Sequence, residues 1–393
     1  MSARVLVLSL GLLVGGVCAG APLSGQSIFG SSGIGLPMEA LDGRSRALGS
    51  FGIGLQGPAI LPSDPAAAAR VLLPTGVIVA QPSWVDLTED SGSDHRYFQG
   101  TRFPLLGLAY PAFGGTLTVH IASVFDQSFE GERSVDIPLG GTTVSATDRF
   151  VQDGSVSTLA AGYARVLGPS TAVGLALGRY SGRIERRLLR IYGGGTGLGP
   201  VEPYSSSGDW RYSGESITGG VSTELLGTVH FAASATWSTK LDAAPTGGTA
   251  GAGRTYSVPL QLRMGASSAL TQGLRLSVSG VRADWSVAGD EVGGGSVVRT
   301  VHGVGVGLEL SQARLFGREA PLRLGFRRNG LPFSLRGDGA EQVYSGGLAL
   351  ILSRTNGVVL ATTDLAIERG RRTGGTITEE FWRGTLSVQL SSF

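Results

Sequence analysis

This chain has a single cysteine, Cys18, in 393 residues, and that one sits within an apolar N-terminal run. The rest of the sequence therefore offers no disulfide framework and no thiolate metal site. Its lone lysine is Lys240, so arginine carries nearly all the positive charge. Charged residues make up only 16%, with a formal net charge of +2, which leaves no basic footprint for nucleic acid. Beyond the N-terminus no stretch holds the roughly 18 uninterrupted apolar residues of a membrane helix. If the chain crosses a bilayer it must do so as a closed barrel, since unpaired strand edges are too costly in lipid. Aromatics, at 7%, are thin for two full interfacial girdles. Histidines His95, His120, His230 and His302 are scattered, and no spacing among them or with carboxylates suggests a metal site. No local Ser/His or Asp/His motif proposes an enzyme, and nothing calls for a cofactor.

What the chain does have is glycine, 64 residues of it, and a rhythm of turns. From residue 71 to 393 it reads as strand after strand, joined by connections that are short, then long, then short. The short ones fall at 111–115, 167–170, 226–227, 270–273 and 355–357. The long ones, rich in Gly, Ser and charge, fall near 130–150, 190–209, 241–254, 289–298, 329–341 and 370–377. A transmembrane antiparallel β-barrel sorts its loops this way, with tight turns on one side and long loops on the other. Period-two alternation supports it. Val229, Phe231 and Trp237 alternate with His230, Ser234 and Thr236, so the first set should face lipid and Ser234 and Thr236 the lumen. Val304, Val306 and Leu308 alternate with Gly305, Gly307 and Glu309, and Leu322, Leu324 and Phe326 with Arg323, Gly325 and Arg327. The expected strands are 71–86, 97–110, 116–129, 151–166, 171–189, 210–226, 228–242, 255–269, 274–288, 299–312, 321–328, 342–354, 357–369 and 378–393. That is about fourteen, the even number that closure requires.

Residues 1–21 read as a signal peptide: Arg4 gives the basic start, residues 5–17 the apolar region, and Ala19, Gly20 and Ala21 a small-residue cleavage site. Lipidation at Cys18 is a weaker alternative, because Gly15 stands where an aliphatic residue is usual. Residues 22–70 show little alternation, with a short helix expected around Pro65 to Arg70. Ile28, Phe29, Leu48, Phe51 and Ile53 are too apolar for a free tail, so this segment is expected to fold inside the barrel formed by 71–393. Pro65 suits the first turn of the helix, with Asp64 as its N-cap.

A family resemblance enters on these residues. The Gly-rich run from Ala47 to Leu55, followed by Asp64, Pro65 and Ala66, resembles the N-terminal hatch of FadL/TodX-type outer-membrane transporters. The C-terminal third is similar too, through Leu322 to Arg328, Leu331-Pro332-Phe333, Asp364 to Arg371 and Glu379 to Arg383. The resemblance implies a fourteen-stranded barrel with a luminal hatch, in the bacterial outer membrane, taking up hydrophobic small molecules of the long-chain fatty acid or hydrocarbon type. The same fold serving as a secretion or assembly partner, or a general porin, are the alternatives. One departure is that Asp64 stands where the family usually has Asn. Implied partners are outer-membrane lipids, lipopolysaccharide and the barrel-insertion machinery, which reads a terminal aromatic such as Phe393. The run Gly303, Gly305, Gly307 precedes no helix and reads as a strand face on which the hatch packs closely, not a nucleotide loop. Arg183, Arg186, Arg187 and Arg190 form the densest charge cluster, a loop base that arginine forks also suit for lipopolysaccharide phosphates. Arg275, Arg323 and Arg327 face the lumen and are the candidate ligand-binding residues, though each has lumen carboxylates such as Glu309 as competing partners.

Overall fold

The computed structural model describes residues 27–89, 95–139, 142–193, 202–225, 227–292, 297–315, 317–334, 337–355 and 357–392. The signal segment, Cys18, Phe393 and the glycines at 194, 195 and 293–295 lie outside them. Fourteen strands form the wall: β1 Thr75–Glu89, β2 His95–Ala112, β3 Gly115–Asp126, β4 Thr142–Leu167, β5 Thr171–Tyr192, β6 Tyr204–Leu225, β7 Val229–Ser238, β8 Gln261–Thr271, β9 Leu274–Asp284, β10 Thr300–Leu310, β11 Leu322–Gly330, β12 Gly339–Thr355, β13 Val358–Gly374 and β14 Ile377–Ser391. Each pairs antiparallel with its neighbours in sequence, and β1 pairs with β14 from Thr75↔Ser391 to Glu89↔Ile377, which closes the barrel.

All fourteen expected strands are present, but several boundaries and loops differ. Residues 71–74 precede the first strand. The long loop expected at 130–150 is sheet throughout its described residues, with Phe129–Leu139 paired to the outer part of β4. At 190–209 the described ends are strand, β4 and β5 staying paired as far as Ala146↔Tyr192 and β6 starting at Tyr204. The one expected at 370–377 is a tight turn, with β13 and β14 paired up to Gly374↔Ile377. Charge and glycine therefore marked strands that outrun the apolar belt rather than loops. The expected strand 255–269 starts only at Gln261, because Arg254–Tyr256 folds back on Leu241–Thr246. Residues 285–288, expected as strand, form a short 3-10 helix.

The two faces separate cleanly. On β3, Leu117, Val119 and Ile121 are exposed while Thr118, His120 and Ala122 are buried. On β10, Val304, Val306 and Leu308 are exposed and Gly303, Gly305, Gly307 and Glu309 buried. Trp237 faces outward and Ser234 inward, where its hydroxyl donates to the Ser63 carbonyl at 2.6 Å. The outward face is thus an apolar belt suited to lipid, and the polar residues look into the lumen.

The inward face meets residues 27–71. This segment carries a short 3-10 helix Ile28–Ser31, a bridge strand Leu36–Pro37, helix α1 Gly43–Ala47 and a second 3-10 helix Pro65–Arg70. Phe29, Ile34, Leu48, Phe51 and Ile53 are all within 2% of complete burial, worth about 1.5–3 kcal/mol each. Leu41, Ile60 and Val71 join Val77, Val79, Leu105 and Ala109 of the wall in one apolar cluster.

Glycines on the wall permit this close docking. A Cβ at Gly305 would overlap the Gly49 carbonyl, one at Gly307 the Leu48 backbone, and one at Gly265 would lie 2.6 Å from the Ile53 carbonyl. Gly174 and Gly220 make the same allowance for Pro65. Since the obstacle at Gly305 is backbone, no rotamer change relieves it. Gly305→Val is expected to displace residues 48–51 while leaving the barrel folded. Protease cleavage within 44–56 should appear in the variant alone, with heat-modifiable migration on gels unchanged; resistance equal to wild type would refute the contact.

Candidate functional site: a filled lumen

The lumen is layered. Toward the ends of the strands that carry the longer connections, an apolar cluster fills the barrel, with Phe125, Trp285 and Phe333 at its centre. Trp285 meets Phe125 at 5.7 Å and Phe333 at 5.3 Å, both in the edge-to-face geometry that aromatic rings favour. Tyr212 stacks on Tyr256 in the same cluster.

Next to it lies a cavity of about 90 Å3, walled by the N-terminal segment on one side and β3 to β8 on the other. Met38, Leu41, Ala160, Ala176 and Tyr180 supply apolar lining, with Thr218 and Arg263 among the polar groups. Tyr180 belongs to both the cavity wall and the apolar cluster, and Val124 packs against that cluster, so the two compartments are contiguous. The residues Ala160, Ala176 and Gly178 keep this side of the wall shallow.

Around and beneath runs an ionic network that ties the segment to the wall. Arg46 of α1 places Nη1 2.9 Å from Glu368, and both are essentially fully buried. Glu368 also receives Arg327 at 3.3 Å and Arg383 at 3.5 Å. Glu341 takes Arg372 at 2.7 Å, and Glu379 takes Arg372 at 3.1 Å together with the Ser27 hydroxyl and the Ile28 amide. A second node joins Arg44 and Arg323 to Glu309, with Arg323 also on Asp364. Glu39 pairs with Arg263 at 2.9 Å.

Arg323 is held by Glu309 and Asp364, and Arg327 by Glu341 and Glu368, so carboxylates of the chain engage both. Arg275 is half-buried opposite Glu309 on the β9–β10 ladder, and its Nε has no hydrogen-bond acceptor among the described residues. Of the outer arginines, Arg183 pairs with Asp209, Arg187 with Glu185 and Arg190 with Asp148, and Arg186 lies over Trp210. Arg46, Arg372, Arg383, Glu368 and Glu379 were not singled out as chemistry from the sequence. For the four on strands the signal is charge at every fourth position, Asp364, Glu368 and Arg372 on β13 and Glu379 and Arg383 on β14, on the face opposite the apolar one, whereas Arg46 lies on α1.

Asp64, Pro65 and Ala66 begin the 3-10 helix as expected, and the helix packs on β4, β5 and β6. Asp64 holds the N-cap position without making the side-chain cap hydrogen bond. Its backbone there, φ −135 and ψ 80, is not that of an ordinary cap. The carboxyl is buried, which pushes its pKa up to about 7; the amides of Ala67, Ala66 and Gly54 pull the other way without closing a bond of ordinary geometry. The sign follows. Folded protein holds this proton between the unfolded value near 3.8 and about 7, so docking stability falls as pH rises through that window. Asp64→Asn is expected to slow hydrogen exchange of residues 59–71 at pH 8 and to leave it unchanged at pH 4. Equal effects at both pH values would rule out the buried charge as the cause.

The wall itself is split at one place. Among the described residues the β2–β3 ladder runs from Ala112↔Gly115 to Leu105↔Ala122 and stops. Beyond it β2 pairs only with β1, while Phe125 and Asp126 of β3 pair with Pro37 and Leu36 of the luminal segment. Arg102 bridges the split by binding Asp126, and the Phe98 and Phe129 rings face each other across it at 6.1 Å.

No family model matches this chain, and no curated protein matches it. Solved structures do. A FadL homologue of Pseudomonas aeruginosa superposes with a TM-score of 0.59 at 12% identity, over 91% of this chain and 99% of that one. The toluene transporter TbuX of Ralstonia pickettii gives 0.55 at 15% identity, over 90% and 99%. The toluene transporter TodX of Pseudomonas putida gives 0.55 at 12%, over 91% and 98%.

The chain has the FadL/TodX fold.

At these identities the likeness is one of architecture. That residues 27–71 sit inside the wall rests on this chain's own contacts. The likeness to FadL/TodX barrels carries no residue-level assignment, so the network and the cavity stand on this chain's own geometry.

Proposed function

We propose that this chain is an outer-membrane channel for passive uptake of hydrophobic small molecules, with residues 22–70 as its hatch. The observation that carries the proposal is the contiguous run from an aromatic cluster to a partly apolar cavity, in a lumen largely occupied by the N-terminal segment. A general porin needs a water-filled hole, and the docked segment argues against that. A substrate would enter through the Trp285–Phe333 cluster, partition into the cavity beside Met38 and Tyr180, and leave when the hatch shifts. At about 90 Å3 the cavity is smaller than the roughly 150 Å3 pocket that takes benzene, so passage of even a slim hydrocarbon requires that shift. The split between β2 and β3 supports a lateral exit into lipid, with Arg102 and Asp126 as its closure.

The test is reconstitution of the full chain. Liposomes carrying it should not swell in sugar solutions, yet should take up labelled toluene or a long-chain fatty acid faster than protein-free liposomes. Swelling at porin-like rates would overturn the proposal, and so would hydrophobic uptake no faster than in protein-free controls.

A further inference from the structure

Five arginines, Arg46, Arg102, Arg327, Arg372 and Arg383, converge on one small cavity between residues 36–39 of the luminal segment and Leu331-Pro332. Among the described residues four carboxylates engage them: Asp126, Glu341, Glu368 and Glu379. Glu39 also lines the cavity, but its carboxylate is taken by Arg263. The site therefore holds one more cation than anion, in surroundings where a buried unpaired charge is strongly unfavourable. Unused donors locate the excess. Nε of Arg46, Nη1 of Arg327 and Nε of Arg383 are buried, and none has a hydrogen-bond acceptor among the described residues. Each of these side chains is more than nine-tenths buried.

The arginines are also held in place. Phe381 lies between the guanidiniums of Arg372 and Arg383, at 4.2 and 4.6 Å from its ring centre, and Phe51 faces Arg327 at 5.8 Å. Gly370 makes room for the Phe381 ring, which any Cβ there would meet. The cavity measures about 40 Å3, whereas one water needs roughly 10–15 Å3, so it has room for a group of three or four heavy atoms. Planar guanidiniums with free N–H groups match an acceptor-only oxyanion of that size.

We propose that this cavity is a binding site for a small monovalent oxyanion of carboxylate type, which completes the charge balance between the luminal segment and β11 to β14. The anion is either a free ion or the acid head of a larger apolar molecule. The site follows from the lumen charges alone, whatever the chain transports.

The experiment follows heat unfolding of the detergent-solubilised full-length protein at fixed ionic strength, with fluoride replaced by acetate, and in separate arms with decanoate or decanol. Acetate should raise the midpoint by several degrees. Arg383→Gln should lose that rise, and Arg354→Gln, at an exposed pair with Glu319, should keep it. A rise with decanoate but neither acetate nor decanol assigns the site to an acid head carried on a chain, and still supports it. Equal rises with decanoate and decanol, or none with acetate and decanoate, overturn it. Should Arg383→Gln fail to fold, wild-type crystals soaked in bromide decide the matter. Anomalous density among Arg46, Arg327 and Arg383 supports the site, and bromide found only elsewhere refutes it.

Discussion

Deleting residues 22–60 is expected to turn a silent protein into an ion-conducting one. In planar bilayers the full chain should give no open-pore steps, and the deletion should give large ones. The described part of the deleted stretch places Phe29, Ile34, Leu48, Phe51 and Ile53 against the inward face, and no rearrangement of the remaining residues 61–71 can refill that volume. The barrel should survive. Its strands pair edge to edge without the segment everywhere but at the β2–β3 split, where two residues at the end of β3 lose their pairing with Leu36 and Pro37. Glu309, Glu368 and Arg263 lose partners, yet water entering the opened lumen hydrates them, so they do not become buried unpaired charges. Selective uptake of hydrophobic compounds should vanish in the same variant, since the cavity beside Met38 and Leu41 loses one wall. Unchanged conductance would mean that the segment does not block the pore, and the hatch proposal would fail with it.

Much of this architecture was legible in the sequence, for a physical reason. A strand that faces lipid on one side and protein on the other writes its register in every second residue, so Val304, Val306 and Leu308 against Gly305, Gly307 and Glu309 fix both facing and partner. The close docking of the segment was legible in those glycines as well, because only a missing Cβ lets another backbone approach. Strand ends were less legible. The outer parts of β4 and β5 leave the apolar belt, lose their alternation, and look like polar loops although their ladder continues. The arginine network was hidden for another reason. Arg46 and Glu368 lie 322 positions apart, and nothing local in either neighbourhood announces the other. Only closure of the barrel around α1 brings them together. The split between β2 and β3 was equally hidden, since the Pro104 region of β2 reads as a continuous strand.

The network makes unequal demands on its two signs of charge, and this gives the second large effect. Glu368 is shared by Arg46, Arg327 and Arg383, so Glu368→Gln leaves three buried guanidiniums around a neutral amide. Loss of one partner from a buried pair costs about 3–5 kcal/mol, and the amide retains only a weak acceptor. Arg46→Met removes a cation from a site that already has one in excess, and the methionine fills similar volume with no charge to strand. Glu368 then keeps Arg327 and Arg383, and the cost should be nearer the roughly 1.5–3 kcal/mol of one charged hydrogen bond. Hydrogen exchange across residues 42–50 should therefore quicken far more in Glu368→Gln than in Arg46→Met, with the heat-unfolding midpoints in the same order. Equal damage from the two substitutions would mean that the lumen charges are balanced, and the excess of cations inferred for the arginine cavity would be wrong. The reverse order would point to Arg46 as the anchor that docks α1, with Glu368 replaceable by the neighbouring Glu341 and Glu379.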